Sequence, residues 1–532
     1  MMEVTLKIRR KKDPPPMAGR PAKAITRAQL EAQYGASDAD IAAVVKAFAV
    51  FGLKPVGTPN AMTRTVRLSG TVKDMEKAFQ VKLFNYAFAA GSGEPAYRGR
   101  VGNIHVPDGV HGLVKGVFGL DNRRVARRLR MHPTPGTARG LALASARTSR
   151  YIPSQLAAHY HFPPGDGTGQ TVAVFEFSGG YFPSDLQTFC QAAGVGVPTV
   201  QALSVDGTST SAMDGTEGET MLDVEILAGA CPGAKIVAYF ADFSEQGWIA
   251  ALDAVIQDHA NDPGVLSISW GAPEDLAQLW TSQAIMNIND SFQDAAMLGL
   301  TICVASGDDG SSAALSDGMA HVNFPASSQY VLAVGGTTIP VRGGTGPDVV
   351  WFEGDGLRSS GHGSTGGGVS DMIPRPTWQN GFNIQSVNGG TFVGRILPDV
   401  AANADWDASP YLLVVDGGSE SNGGTSAASP LVAALLTLIN AGRGAGHRLG
   451  YVTPVLYQTV GSGAGAGTVG SLGCTDVVTG NNNTAQAGGY SAGQGFDAVS
   501  GWGTPHGVNL TAALARALPV APTPPNPVSA GS

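Results

Sequence analysis

Three separated sets of residues in this chain could do chemistry together. The first is "GGTSAASP", Gly423–Pro430. Its two glycines allow a sharp turn, and Thr425 and Ser426 can cap the buried helix predicted by the apolar run that continues to Ile439. A serine hydroxyl held there is a weak nucleophile until a base takes its proton. None of the ten histidines stands in a helix-start motif beside a strand, and His362 in "GHGSTGGG" reads as an exposed loop histidine. The second set is "GETMLDVE", Gly218–Glu225, where Glu219 and Asp223 are four residues apart and so share one helix face. Like charges repel at that spacing, on a helix that otherwise buries Met221, Leu222, Ile226 and Ala228. Glu217 and Glu225 flank the pair and read as solvated. A plain acidic helix face competes with a functional reading of this helix. A carboxylate can nevertheless serve as general base, and two neighbours share protons so that one titrates high and the other low. The third set is "SGDDG", in which Asp308 follows a strand-like run. A protonated aspartic acid can donate a hydrogen bond to a developing oxyanion, whereas an ionised one repels it. Ser426, Glu219, Asp223 and Asp308 together describe acyl transfer that works in acid.

The elements that must position these residues are legible as two patterns. Residues 4–122 read as a small α+β unit. "VTLKIRR", "TRTVRLSG" and "KLFNYAF" are strand-like, and "DADIAAVVKAFAVFG", "TVKDMEKAFQV" and "PDGVHGLVKGVFGLD" read as three helices. Residues 123–150 are rich in Arg, Pro, Gly, Ala and Ser, the composition of a linker open to proteolysis. From about residue 150, continuous apolar runs alternate with helical stretches. The runs are "TVAVFEF", "AKIVAYF", "GVLSISWG", "LTICVASG" and "YVLAVGGT". That alternation predicts an α/β domain with a mostly parallel sheet covered by helices, its site at the carboxyl ends of the strands, where Glu176, Trp270 and Asp308 fall. Residues 521–532 read as a disordered Pro-rich tail.

Charge divides the chain in the same place. Residues 1–150 hold 26 Lys+Arg against 10 Asp+Glu, a net +16, and the rest holds 8 against 32, a net −24. A basic piece joined to an acidic piece could bind nucleic acid, or the two could bind each other as an inhibitory propeptide binds its enzyme. The basic residues lie on a folded-looking segment without aromatic interleaving, which favours the second reading. Cys190, Cys231, Cys303 and Cys474 form no CxxC or Cys/His cluster, which argues against zinc and leaves one disulfide open. No apolar run reaches the length of a membrane span, and "MMEVTLKIRRKKDPPP" lacks the apolar core of a signal peptide.

The three catalytic segments, in their order along the chain, resemble those of the sedolisins, the serine-carboxyl peptidases, and within them the kumamolisin-like members. The resemblance spans nearly the whole chain. It implies a subtilisin-like catalytic domain over 151–520, a ferredoxin-like prodomain over 1–122 and a cleavable linker over 123–150. It also implies Ser426 as nucleophile, Glu219 as base, Asp223 as its partner and Asp308 as oxyanion residue. "SISWGAPE" and "STGGGVS" resemble the family's cleft segments, and Glu176 and Trp270 resemble residues that extend its proton network. "CTDVVTGNNN" and "AGQGFDAVSGWGTP" resemble the halves of one structural calcium site. Asp476 and Asp497 would give carboxylates there, and Val477, Gly493 and Gly495 backbone carbonyls. The expected protein is a monomeric, exported, acid-acting zymogen. It hydrolyses proteins or peptides, is inhibited by its own prodomain, and binds neither nucleic acid nor membrane. The rivals are a tripeptidyl-peptidase of the same family, a catalytically dead fold used as a binder, and a nucleic-acid-binding protein that uses the basic half.

Overall fold

Val172, Ala173, Val174 and Phe175 are all buried, so their strand is apolar on both faces. A strand of that kind needs cover above and below. In a computed structural model it forms the centre of an eight-stranded sheet. The order is Val349–Val350, Leu332–Thr338, Thr301–Ala305, Val265–Ile268, Thr171–Glu176, Lys235–Phe240 and Val200–Ser204, with Val400–Asn403 also on Leu332–Thr338. Every pairing is parallel except that of the edge strand Val349–Val350. The described residues are 1–532 without 88–95, 126, 129–149, 214, 341–345, 445, 486 and 521–532. Most of the expected linker and all of the expected tail therefore lie outside the described residues.

Helices cover both faces of this sheet. Thr425–Arg443 runs beneath Val265–Ile268, Thr301–Ala305, Leu332–Thr338 and Val400–Asn403, and packs against the helix Glu217–Ala230. Among the described residues, Thr425–Arg443 is the helix long and apolar enough to cross a membrane, but it is buried in the protein core. On the opposite face lie Glu245–Gln257 and Ser282–Met297, capped at their N-termini by Ser244 and Thr281. The thiols of Cys190, Cys231, Cys303 and Cys474 are all free.

The N-terminal unit is an antiparallel sheet in the order Lys54–Pro55, Thr65–Gly70, Met2–Ile8 and Val114–Phe118. Its helices Asp38–Ala49 and Val72–Phe79 start at Ser37 and at the capping box of Thr71 and Asp74. They bury Val44, Phe48, Met75 and Phe79 against Val4, Leu6, Val66 and Leu68. The third helix expected in "PDGVHGLVKGVFGLD" is absent. A short turn at Asp108–Val110 precedes the strand Val114–Phe118, which pairs with Met2–Ile8. Gly112, Gly116 and Gly119 disfavour a helix there, and Val114 and Val117 suit a strand.

This unit grips the catalytic domain through buried ion pairs. Lys7 Nζ donates to Asp253 Oδ1 at 2.8 Å, and Thr65 Oγ1 to Asp253 Oδ2 at 2.5 Å. Arg10 and Arg64 each donate to one oxygen of Asp294 at 2.5 Å. The charge division seen in the sequence is thus realised by side chains on Glu245–Gln257 and Ser282–Met297. Removing one partner of a buried pair leaves charge unpaired, at a cost of about 3–5 kcal/mol. Asp294→Ala is therefore expected to loosen the N-terminal unit. In limited proteolysis by an added protease at neutral pH, this unit should be digested at least about tenfold faster than in wild type. Equal rates would show that the clasp does not hold it.

Candidate active site

Ser426 is the second residue of its helix, and the turn before it depends on glycine. Gly424 has φ 91°, and a Cβ on Gly423 would meet Ala404 O at 2.4 Å. The Gly424 N–H donates to that same carbonyl at 2.7 Å. Neither Thr425 nor Ser426 caps the helix as the sequence suggests, because Gly424 is the N-cap. Both hydroxyls point elsewhere. Ser426 Oγ donates to Ser269 O at 3.1 Å, and Thr425 Oγ1 donates to Asp308 Oδ1 at 2.6 Å. Among the described residues no histidine hydrogen-bonds Ser426, and the His362 ring pairs with Asp355 at 3.3 Å.

The carboxyl cluster lies on one side of Ser426. Ser269 Oγ stands 2.8 and 3.0 Å from the two Asp223 oxygens and 3.2 Å from Ser426 O, so one hydroxyl joins the acid pair to the nucleophile's backbone. Glu219 and Asp223 are both fully buried, one turn apart on Glu217–Ala230. Glu176, at the end of its strand, is also fully buried, with Thr220 and Trp270 beside its carboxyl. Burial pushes Glu176 and Asp223 well above the usual carboxylate range. Charge repulsion adds to this, from Asp223 and Glu219 on Glu176 and from Glu219 on Asp223. Such a cluster holds protons where isolated carboxylates would have lost them.

Asp308 lies on the other side. Its Oδ1 accepts from Thr425 N at 2.8 Å as well as from the Thr425 hydroxyl, and its Oδ2 is buried without a partner. Burial pushes its carboxyl up to about 6, against the opposing pull of Arg358 and Thr425. Arg358 Nε pairs with the neighbouring Asp309 at 2.9 Å, and its charge acts on Asp308 and Glu219 as well. The four residues singled out in the sequence thus meet at the carboxyl ends of the parallel strands.

The cleft edge beside them is the strand Trp270–Pro273. One side of it pairs with Asn323–Phe324. On the other side Arg127–Arg128 runs antiparallel, Arg128 opposite Trp270 and Arg127 opposite Gly271. A backbone from the chain's own N-terminal part therefore lies where an extended peptide would add to this edge.

Known proteins match this architecture throughout. A model of the pro-kumamolisin activation domain matches residues 16–123, and one of the subtilase family matches 207–457. Kumamolisin of Bacillus sp. (strain MN-32) is 40% identical over 501 residues, covering 92% of this chain and 86% of its own length. This chain belongs to the sedolisin family. Sedolisin of Pseudomonas sp. (strain 101) is 29% identical, over 91% of this chain and 80% of its own. A solved structure of Pseudomonas sedolisin complexed with two molecules of pseudo-iodotyrostatin is 29% identical and superposes with a TM-score of 0.57, covering 71% of this chain and 98% of that one. Tripeptidyl-peptidase sed5 of Aspergillus fumigatus is 29% identical over 92% of this chain. As a sedolisin the chain is a serine-carboxyl peptidase made as a zymogen, and its prodomain is an intramolecular inhibitor.

Within this sedolisin some readings need correction. Glu217 and Glu225 are buried, because Glu217–Ala230 is enclosed along its whole length. Glu225 Oε2 accepts from Val414 N at 2.9 Å, and burial raises its carboxyl well above the usual range. The sequence reading does not single out Ser269, and it gives Thr425 a capping role rather than the contact with Asp308. A hydroxyl ending an apolar strand, and one beside the nucleophile, were the available signals. Arg358 and Asp309 carried none, because their pairing spans two distant loops.

The segments compared with a calcium site come together. Asp476 Oδ2 accepts from Gly495 N at 2.8 Å, and Asp497 Oδ2 from Gly493 N at 3.0 Å. Val477 O lies 3.5 Å from the Ser500 hydroxyl, which also reaches Asp497. Asp476 Oδ1 is buried without a hydrogen-bond partner, and burial raises the Asp497 carboxyl. Two carboxylates near the Val477 carbonyl suit a hard cation, while Gly493 and Gly495 turn their N–H groups to those carboxylates. Among the described residues no group of three or more His, Cys, Asp and Glu side chains could hold a metal.

Proposed function

We propose that this sedolisin is an endopeptidase that works in acid, with Ser426 as nucleophile and Glu219 as general base. Ser426 Oγ forms a bond to the scissile carbonyl carbon as its proton passes to Glu219. Glu219 returns that proton to the amine as the C–N bond breaks, and water then releases the acyl group. Asp223 orients Glu219, and Glu176 and Trp270 extend the proton network behind it. Asp308 donates a hydrogen bond from its protonated Oδ2 to the oxyanion, a role available only to the neutral acid. The observation that carries this reading is that the start of the Ser426 helix lies between two carboxyl groups, with Ser269 Oγ joining the Ser426 backbone carbonyl to Asp223 and the adjoining Thr425 holding Asp308.

Endopeptidase action is favoured over removal of tripeptides by the segment Arg127–Arg128. It lies on the cleft edge with a long chain continuing N-terminal to it. The test is a peptide with a blocked N-terminus. Internal cleavage in acid is expected, and a peptide spared while its unblocked form loses three residues would establish the tripeptidyl-peptidase.

We further propose one structural calcium ion held by Asp476, Asp497 and the carbonyls of Val477, Gly493 and Gly495. The buried, partnerless Asp476 Oδ1 supports it. Bound to the folded state alone, such an ion stabilises by about 2.7 kcal/mol at a hundred times its dissociation constant. Chelator should therefore lower the melting temperature of the mature enzyme by several degrees, and that sensitivity should vanish in Asp497→Ala. An unchanged melting temperature would remove the ion from the account.

A further inference from the structure

Glu274 follows the cleft-edge strand Trp270–Pro273 and is nearly fully buried. Its backbone N–H donates to Val322 O at 3.0 Å, continuing the ladder to Asn323–Phe324. Its side chain reaches the strand Gly368–Pro374. There Oε1 accepts from Ser370 Oγ at 2.7 Å, Asp371 N at 2.9 Å and Met372 N at 3.2 Å. Just before that strand, Gly366 N donates to Gly307 O at 2.7 Å and Gly366 O accepts from Ser306 Oγ at 2.8 Å. Gly307 adjoins Asp308. A single side chain therefore ties the peptide-pairing edge to the segment that presents the oxyanion residue.

The other oxygen completes the picture. Glu274 Oε2 and Ser327 Oγ are both buried without a hydrogen-bond partner, and they are neighbours. A proton on Oε2 would satisfy both. Burial pushes the Glu274 carboxyl up to about 7, so it carries that proton in acid. Glutamine is the isostere of this neutral form, with an acceptor for the three donors and an N–H for Ser327.

We propose that Glu274 is a positioning residue for the peptidase reaction, holding the edge Trp270–Pro273 at a fixed distance from the Gly307–Asp308 segment so that an extended substrate spans both. It does not touch the reacting atoms. Pairing of substrate backbone with the edge is present in the bound ground state and in the transition state alike. Its loss therefore raises KM and leaves kcat nearly unchanged.

The inference rests on the peptidase reading of the site, so wild-type activity is measured first. An inactive wild type would count against that reading. The mature Glu274→Ala and Glu274→Gln enzymes are then compared on a peptide of about eight residues and on a substrate with one residue before the scissile bond, which cannot pair along the edge. For Glu274→Ala, KM on the long peptide is expected to rise about tenfold or more, with kcat within about threefold and the short substrate unaffected. Glu274→Gln is expected to restore the long-peptide KM to within about threefold. Unchanged KM in Glu274→Ala, equal losses on both substrates, or no rescue by glutamine would overturn the proposal. Should Glu274→Ala not fold, Ser370→Ala removes one of the three donors. It is expected to show the same split at about threefold, and its absence there also overturns the proposal.

Discussion

The Ser426→Ala chain is expected to lose about a million-fold in kcat and to stay at full length when brought to about pH 4. Both effects follow from one hydroxyl. Without Oγ no acyl-enzyme forms, and Glu219 and Asp223 have no proton to accept from the nucleophile. The residual rate comes from binding and oxyanion stabilisation alone, as happens whenever the nucleophile of a concerted set is removed. The wild-type chain, by contrast, is expected to cut itself within about Arg130–Arg150. Acid favours that step because it neutralises Asp308 for its donor role. Gel analysis and N-terminal sequencing check both parts. Cleavage of the Ser426→Ala chain in the absence of other protease would remove Ser426 from the reaction.

Replacing Asp308 has the second largest effect, and the two informative replacements differ. Asp308→Ala removes the carboxyl placed to donate to the oxyanion from Oδ2, and kcat is expected to fall about 10²–10³-fold. Asp308→Asn keeps an acceptor for Thr425 and supplies an N–H that needs no proton from solvent. It should lose less than alanine and decline less steeply as pH rises. The sign follows from the raised carboxyl of Asp308. Below about 6 it is neutral and donates, and above about 6 it is ionised and repels the oxyanion. Rates measured for both variants from acid to neutral pH decide the matter. Equal rates and equal slopes for alanine and asparagine would place the oxyanion elsewhere.

Much of this site was legible because its residues sit in short, locally determined segments. The spacing of Glu219 and Asp223 fixes a shared helix face, the glycines before Ser426 fix a turn, and "SGDDG" marks a strand end. The parallel sheet followed from runs such as "TVAVFEF" that are apolar on both faces. Long-range contacts were less accessible. Nothing local shows that Ser269 would stand between Asp223 and Ser426, or that Arg358 would come from a distant loop to face Asp309. Glu225 reads as solvated for the same reason, since nothing local shows that distant elements such as the strand Tyr411–Val415 enclose it. The sequence of Val114–Phe118 reads as a helix because its pairing partner, Met2–Ile8, lies far away in sequence.

The most direct test of the central claim is kcat/KM of the mature enzyme on a blocked peptide across acid and neutral pH, corrected with Ser426→Ala. A carboxylate base and a neutral Asp308 predict activity that is greatest in acid and falls as pH rises through about 6. Activity that rises through that range to a maximum near neutrality would contradict the account and require a base of histidine type.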